Sequence, residues 1–162
     1  MEKLISIELH NYIEKNDALC LIKWLNDFDV IQYMNEEASI INTLNNILNN
    51  KQEALLTYYL NQNCIFHMID FENKPIGFIS LIPYKNDSYE IVIAIGNKNL
   101  WGKQIARYVL IKTINYIKEK LNGKIIVAKI HYQNTRSINL FTHLCFNKIY
   151  ESDKYQHFQL IL

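Results

Sequence analysis

The sequence predicts an α+β (mixed α/β) fold in which a central β-sheet carries helices on both faces. Residues 89–95, YEIVIAI, are almost continuously apolar, as in a strand that is covered on both sides. Residues 102–121 then place apolar side chains at helical spacing, and residues 124–130, KIIVAKI, form a second apolar run. A strand, a helix and a strand in this order predict a right-handed crossover between two parallel strands.

The N-terminal part of the chain predicts one strand, two helical regions and, between these regions at DFDVIQYMNEEASI, a short helix followed by a loop. Residues 4–9 alternate between apolar and polar side chains, which indicates a strand. Asn16 or Asp17 is a suitable cap for a first helix, because a short polar side chain accepts from free N–H groups there. A second helical region covers residues 40–60 and is loosened at the Asn-Asn pair 49–50.

The rest of the chain predicts two hairpins and a short helix. ENKP has turn chemistry, and Gly123 is suited to a left-handed cap at the end of the long helix. The remaining elements are strands at 64–71 and 75–84, a helix from Asn134 or Thr135 through Leu144, and a terminal hairpin from FNKIYE and YQHFQLIL. The order is therefore β-αα-βββ-α-β-α-ββ, a mostly antiparallel seven-stranded sheet in one domain of residues 1–162.

Composition excludes several classes of protein. A net charge of +1 over 162 residues gives no general attraction to nucleic acid or to a membrane surface. No apolar stretch approaches the roughly 20 residues that span a bilayer, and the N-terminus lacks the apolar region of a signal peptide. Three widely spaced cysteines (Cys20, Cys64 and Cys145) argue against a disulfide framework or a zinc site. We therefore expect a cytoplasmic protein without metal, nucleic-acid or membrane partners.

The stretch NKNLWGKQIAR, residues 97–107, joins a predicted strand to the long helix. The N–H groups from Gly102 to Arg107 lie where a helix begins, and such groups bind phosphates. Lys98, Lys103 and Arg107 add three cations and no acid is present. The stretch predicts a pyrophosphate site, with a solvated basic turn as the alternative. We expect Gln104 to have right-handed helical geometry, which needs no glycine.

A second stretch, NTRSINLFTHLCF at 134–146, begins another helix after a strand. Asn134 and Ser137 fall at the start of that helix, and Phe141 falls on its apolar side. The plain alternatives are a helix cap for Asn134 and core packing for Phe141.

Read together, the two stretches resemble the GNAT family of acyl-CoA-dependent N-acetyltransferases. The second stretch is similar to the family motif N-x-x-S-x-x-x-Y/F-x-x-x-G-F, with Cys145 at its glycine. WLNDFDVIQYM, residues 24–34, resembles the branch that holds ribosomal-protein N-terminal, spermidine and aminoglycoside 6'-N-acetyltransferases. The family cradle Q/R-x-x-G-x-G/A is matched here by Trp101, Gly102, Lys103, Gln104, Ile105 and Ala106, so that Gln104 replaces a glycine.

The resemblance implies that acetyl-CoA is the cosubstrate. Its pyrophosphate would lie on the cradle, and its pantetheine arm would bond to backbone groups like an added strand, in the gap between residues 89–95 and 124–130. The implied cofactor-binding residues are Ile93, Ala94, Ile95, Trp101, Gly102, Lys103, Gln104, Ile105, Ala106, Arg107, Asn134, Ser137 and Phe141.

Glu90 is the candidate general base, since it is the only carboxylate in the central strand. By the two-residue period of a strand, it shares a face with Val92 and Ala94. The alternative is a charged residue at the open end of a strand. Many relatives have a tyrosine as general acid where this chain has Phe141, and phenylalanine cannot donate a proton. Weak substitutes are Tyr132, Ser137 and His143.

The resemblance implies direct transfer of acetyl from acetyl-CoA to a primary amine in a ternary complex. No cysteine or serine is placed as an obvious nucleophile. A non-catalytic GNAT-fold module that binds acyl-CoA or a protein partner is the alternative, in a monomer or a homodimer. If Asp29, Glu36 and Glu37 lined the acceptor cleft, a cationic small-molecule or peptide amine would follow; otherwise these acids form a solvated surface.

Overall fold

A computed structural model describes residues 6–34 and 38–162, and within these ranges the predicted mixed α+β fold is confirmed. Seven strands form one sheet in the order β1-β2-β3-β4-β5-β7-β6. The strands are β1 (Ile7–His10), β2 (Ile65–Phe71), β3 (Lys74–Tyr84), β4 (Ser88–Ile95), β5 (Ile125–His131), β6 (Asn147–Ser152) and β7 (Tyr155–Ile161). The run that is richest in apolar residues, β4, is the central strand, as the sequence predicts.

Six α-helices accompany the sheet in the described residues. They are α1 (Lys15–Leu25), α2 (Phe28–Ile31), α3 (Ala38–Asn49), α4 (Leu55–Leu60), α5 (Ile105–Lys120) and α6 (Thr135–His143). Four of them precede β2. Helix α2 corresponds to the predicted short helix, and α3 and α4 correspond to the region at 40–60 that the sequence predicts to be loosened at residues 49–50. The first strand begins at Ile7, and the predicted positions 4 and 5 lie outside the described residues.

The chain divides into two compact units. One consists of Met1–Ser80 and Ile93–Trp101, and the other of Leu81–Val92 and Gly102–Leu162. The single domain of residues 1–162 therefore stays a prediction, and each unit is described by itself.

The first unit has an apolar core between its helices and strands. Trp24 of α1, Leu44 of α3, Leu56 of α4 and Met68 of β2 are all buried in it. The rings of Phe66 and Phe78 stack with centroids 5.5 Å apart. Burial of side chains of this size stabilises a fold by about 1.5–3 kcal/mol each, which holds these short helices in place.

Helix α1 starts earlier than the sequence predicts. Its N-cap is Glu14, and Asp17 is the third helical residue rather than a cap. The Asp17 carboxylate accepts from the Glu14 N–H at 2.9 Å, which completes a capping box. The expected cap at Asn16 or Asp17 is wrong because the reciprocal box needs its second side chain three residues inside the helix.

A partly buried cluster of one histidine and two carboxylates joins β1, α1 and β2 of the first unit. Nε2 of His10 lies 3.2 Å from Oδ2 of Asp17, and its Nδ1 lies 3.4 Å from Oδ2 of Asp70. Burial raises the pKa of the Asp70 carboxyl group, against the pull of His10. The imidazole thus lies between two carboxylates, one from α1 and one from β2.

The second unit is organised by β5 and β7. These strands are antiparallel over seven residue pairs, from Ile125 opposite Ile161 to His131 opposite Tyr155. The parallel register of β4 and β5 pairs Ser88, Tyr89 and Glu90 with Ile125, Ile126 and Val127. The strand pair on either side of α5 is therefore parallel, as predicted.

Helix α5 is shorter than the predicted helix at 102–121. It begins at Ile105 and ends at Lys120, and its buried residues are Ile105, Val109, Leu110, Thr113 and Ile117. The left-handed residue after it is Asn122, with φ 51°. Gly123 has no positive φ, which corrects the expected cap; it is needed because a Cβ there would lie 2.4 Å from Cγ2 of Ile117.

No helix in residues 6–34 and 38–162 is both long and apolar enough to span a bilayer.

Candidate active site

A tryptophan side chain secures the turn that follows β4. The indole Nε1–H of Trp101 donates to the carbonyl oxygen of Ile95 at 2.7 Å. Between them, residues 98–100 form a 3-10 turn whose N-cap is Asn97, with its side chain accepting from the Asn99 N–H. The Ile95 carbonyl oxygen is thus engaged within the protein, so that of the two backbone groups of Ile95 the N–H is the one that this bond leaves for a cofactor.

Two glycines, which sequence reasoning missed, allow close packing around the end of β4. A Cβ at Gly77 would lie 2.2 Å from the carbonyl oxygen of Ala94, so β3 approaches β4 more closely there than any side chain allows. A Cβ at Gly96 would lie 2.1 Å from the Trp24 ring. The chain has only four glycines. This scarcity is the one feature of the sequence that could have indicated that each glycine is needed where it stands.

The start of α5 contains two residues in the left-handed region. Gly102 has φ 76° and Gln104, the N-cap, has φ 63° and ψ 7°. The expected right-handed geometry of Gln104 is therefore wrong. Left-handed backbone explains why the family motif has glycine at this position, since a Cβ costs about 1–2 kcal/mol in that conformation.

Helix α5 leaves backbone donors free at its first turn. The first helical hydrogen bond runs from the Tyr108 N–H to the Gln104 carbonyl oxygen at 3.1 Å. The N–H groups of Ile105, Ala106 and Arg107 therefore have no acceptor within the helix. The Gln104 side chain makes no capping hydrogen bond to them. This is the geometry that favours an anion at a helix N-terminus.

Only two of the three cations that the sequence grouped here are available. Nζ of Lys98 lies 2.9 Å from both Oδ2 of Asp27 and Oδ2 of Asp29. Hydrogen bonds to Asp27 and Asp29 raise the pKa of Lys98, and the bond from Lys98 lowers the pKa of Asp27. Lys103 and Arg107 are exposed, and neither forms an ion pair within the described residues.

The Lys98 pairing also bears on the acceptor. Asp29 was one of three acids that would favour a cationic acceptor, and it shares the single charge of Lys98 with Asp27. Glu36 and Glu37, the other two, lie outside the described residues.

The second predicted stretch forms α6 as expected. Asn134 is the N-cap, and its Oδ1 accepts from the Ser137 N–H at 3.2 Å. Phe141 is 3% exposed and packs edge-on against Phe146 at 4.9 Å. Cys145 has φ 66° and is exposed. Its left-handed backbone explains the glycine of the family motif at this position.

Glu90 is half-buried on β4, opposite Val127 of β5. Residues that pair across strands point to the same face, so Glu90 shares a face with Val127, Lys129, His157 and Gln159. The sequence analysis did not identify His157 as a candidate, because the sequence does not show which residues of the neighbouring strands pair with it.

The proposed substitutes for a general acid are partly engaged elsewhere. Nδ1 of His143 lies 2.6 Å from the Asn139 carbonyl oxygen of its own helix. The Tyr132 ring is 51% exposed and stacks on His131 at 4.9 Å.

A family model described as "Acetyltransferase (GNAT) domain" matches residues 7–147, most of the chain. The chain belongs to the GNAT acetyltransferase family. This match covers α5, α6 and the whole of β4, so the two motifs of this GNAT domain lie within it.

Two curated relatives are similar to this GNAT domain. An uncharacterised N-acetyltransferase, p20, of Bacillus licheniformis is 29% identical over 150 residues, which is 84% of this chain and 76% of that protein. An uncharacterised protein of Methanocaldococcus jannaschii is 35% identical over 75 residues, which is 46% of this chain. The aligned part spans only 15% of that longer protein.

Solved structures share the fold of this GNAT domain at low sequence identity. A domain from Methanocaldococcus jannaschii has a TM-score of 0.76 at 23% identity, covering 98% of this chain and 99% of that one. Spermidine N-acetyltransferase from Vibrio cholerae, in complex with CoA and spermine, has a TM-score of 0.73 at 18% identity. The match covers 96% of this chain and 95% of that one. The N-acetyltransferase PseH of Campylobacter jejuni, in complex with acetyl coenzyme A, has a TM-score of 0.69 at 15% identity. The match covers 96% of this chain and 98% of that one.

Proposed function

We propose that this GNAT domain transfers an acetyl group from acetyl-CoA to a primary amine, directly and within a ternary complex. The proposal rests mainly on the backbone donors at the N-terminus of α5. Three N–H groups there lack helical acceptors, and the exposed side chains of Lys103 and Arg107 flank them in sequence. A pyrophosphate is a doubly charged anion that matches these donors.

The other cofactor contacts follow from the family resemblance. Backbone groups of Ile93 and Ala94 are proposed to bond the pantetheine arm. Asn134 is proposed to bond the same arm or to hold its gap open, and Ser137 and Phe141 to line the thioester end. Ile95 is proposed to contribute its N–H, since its carbonyl oxygen accepts from Trp101.

Acyl transfer requires that the acceptor ammonium lose a proton, because only the neutral amine is nucleophilic. The amine nitrogen then forms a bond to the thioester carbon, the C–S bond breaks, and CoA leaves as a thiolate that takes up a proton. Glu90 is the proposed carboxylate: it attracts the ammonium group and accepts its proton or passes it on. Its half-buried position strengthens charge interactions relative to bulk water.

No tyrosine is available at position 141 to protonate the leaving group. A thiol has a pKa of about 8.5, so the thiolate is a fair leaving group without a dedicated acid. We expect the buried Phe141 to support α6 rather than to take part in proton transfer.

Isothermal titration with acetyl-CoA tests the cofactor site. Lys103→Ala and Arg107→Ala should each weaken binding about threefold to tenfold, or up to roughly 1.4 kcal/mol, and the loss should shrink at high salt. Lys118→Ala removes a cation from the last turn of the same helix and is the matched control. Equal affinity in all four proteins would contradict the proposed site.

Initial-rate kinetics test direct transfer. Acetyl-CoA and the amine are both varied, and the initial rates are drawn as double-reciprocal plots. Lines that intersect indicate a ternary complex, whereas parallel lines indicate an acetylated enzyme. Binding of acetyl-CoA without amine-dependent release of CoA would favour the non-catalytic module instead.

A further inference from the structure

His157 of β7 is held between two side chains of β6. Oγ of Ser152 lies 2.6 Å from its Nε2, and the Tyr150 ring stacks on the imidazole at 4.0 Å with an angle of 12°. The hydrogen bond and the stack together restrict both torsions of the histidine side chain. Its other nitrogen, Nδ1, has no hydrogen-bond partner among the described residues.

Charged groups from two other strands lie on the same face of the sheet as this imidazole. His157 pairs with Lys129 of β5, and Glu90 of β4 lies on the same face through its pairing with Val127. Lys129 is itself placed over the Tyr155 ring, with Nζ 4.4 Å from the centroid. The His157 imidazole is therefore subject to the electric field of one cation, Lys129, and one carboxylate, Glu90.

The protonation state follows from these neighbours. Burial lowers the pKa of His157, Lys129 lowers it further, and Glu90 opposes both. The imidazole is thus neutral near pH 7, with a lone pair that can accept a proton. When Nε2–H donates to the Ser152 hydroxyl oxygen, that lone pair is at Nδ1.

The other histidines are placed less well for this task. His10 is engaged at both ring nitrogens by Asp17 and Asp70. Nδ1 of His131 accepts from the Gln133 N–H at 3.2 Å. His143 is engaged with its own helix, and His67 lies on β2, which does not neighbour β5, β6 or β7 in the sheet.

We propose that His157, oriented by Ser152 and Tyr150, is the group that accepts the proton from the acceptor ammonium near Glu90. This inference rests on the proposed acetyl transfer and adds a catalytic residue to it. His157 takes the proton in place of Glu90, and Glu90 keeps the role of attracting the ammonium group. The N–H bond of R–NH₃⁺ breaks and a new N–H bond forms at Nδ1, giving R–NH₂ and an imidazolium that the Glu90 carboxylate stabilises. The neutral amine then attacks the thioester, and the imidazolium returns its proton to solvent or to the leaving thiolate.

The pH dependence of kcat/KM tests this role, with acetyl-CoA and spermidine, glucosamine or an alanine-terminated peptide as amine probes. The wild-type profile should have an acid limb with an apparent pKa below the usual histidine value of about 6.5. His157→Gln should lower kcat/KM about 100-fold, leave acetyl-CoA affinity unchanged, and abolish that limb. Added imidazole should restore part of the rate in His157→Gly.

Two charge variants give opposite shifts that a purely structural role does not explain. Glu90→Gln removes the group that raises the pKa of His157, so the remaining acid limb should move to lower pH. Lys129→Met should move it to higher pH. Lys124→Met, an exposed lysine paired with Asp87, is the matched control and should leave the limb in place.

The outcomes separate this inference from the proposed function. If the wild type turns over the amine and His157→Gln keeps both its rate and its acid limb, the role of His157 is refuted and acetyl transfer stands. The role of His157 is also refuted, and acetyl transfer stands, if Glu90→Gln abolishes the acid limb of the pH profile while His157→Gln retains it. If the wild type shows no amine-dependent turnover with any probe, both proposals fail together.

Discussion

The indole of Trp101 and the carbonyl oxygen of Ile95 form a 2.7 Å hydrogen bond that closes the turn between β4 and the residues leading to α5. A carbonyl oxygen at the end of β4 is thereby occupied within the protein. In the proposed cofactor site, this bond leaves only the Ile95 N–H for the pantetheine arm.

Trp101→Phe should show what that bond contributes. The phenyl ring retains an aromatic side chain and loses the donor, so the free energy of unfolding should fall by about 1 kcal/mol. We expect acetyl-CoA to bind more weakly because the turn is less well fixed. Chemical denaturation and isothermal titration measure the two effects, and unchanged values in both would show that the hydrogen bond is dispensable.

Gln104→Gly should stabilise the protein. Gln104 has φ 63°, and relief of this strain should add about 1 kcal/mol to the free energy of unfolding, partly offset by the greater freedom of glycine in the unfolded chain. Gln104→Ala is the control because it removes the side chain and keeps the strained Cβ. Denaturation curves that place the glycine variant at or below the alanine variant would refute this explanation.

Gly77→Ala and Gly102→Ala should differ in severity. The new Cβ at Gly77 would meet the Ala94 carbonyl oxygen at 2.2 Å, whereas Gly102 has no atom within 4 Å and only an unfavourable φ of 76°. We expect losses of about 2–3 kcal/mol at Gly77 and about 1 kcal/mol at Gly102, measured by thermal or chemical denaturation. The reverse order would mean that β3 and β4 adjust more easily than their close approach suggests.

Stability should decrease in mildly acidic solution, partly because of His67. Burial, followed by the nearby His10, lowers the pKa of His67 below its ordinary 6.5. The unfolded chain then binds a proton at higher pH than the folded protein, so this stabilisation is complete above about pH 6.5 and is lost as pH falls. His67→Gln should reduce the slope of unfolding free energy against pH between 7 and 5. The exposed His143→Gln is the control, and an equal slope in both variants would exclude His67 as a source.

The order of the elements could be predicted because hydrophobic periodicity is local. The apolar run of β4 and the helical stripe of α5 are each legible without tertiary information, and the asparagine cap of α6 follows from one polar side chain. The resemblance to the two GNAT motifs could be recognised because each motif lies within one short stretch of the sequence.

Other features depend on contacts that a linear pattern does not encode. Lys98 reads as part of a basic stretch, but it pairs with Asp27 and Asp29, which precede it by about seventy residues. Gln104 is in the left-handed region although its residue type does not favour that conformation. His157 gains its setting from strands β4, β5 and β6, so its candidate role appears only once the register is known.

Amine-dependent release of CoA from acetyl-CoA, followed with a thiol reagent across a panel of primary amines, tests the central claim most directly. The account predicts stoichiometric formation of free CoA and acetylated amine with at least one member of the panel, at a rate that rises with amine concentration. CoA release at the same rate with and without every amine, under conditions where acetyl-CoA binds, would contradict it.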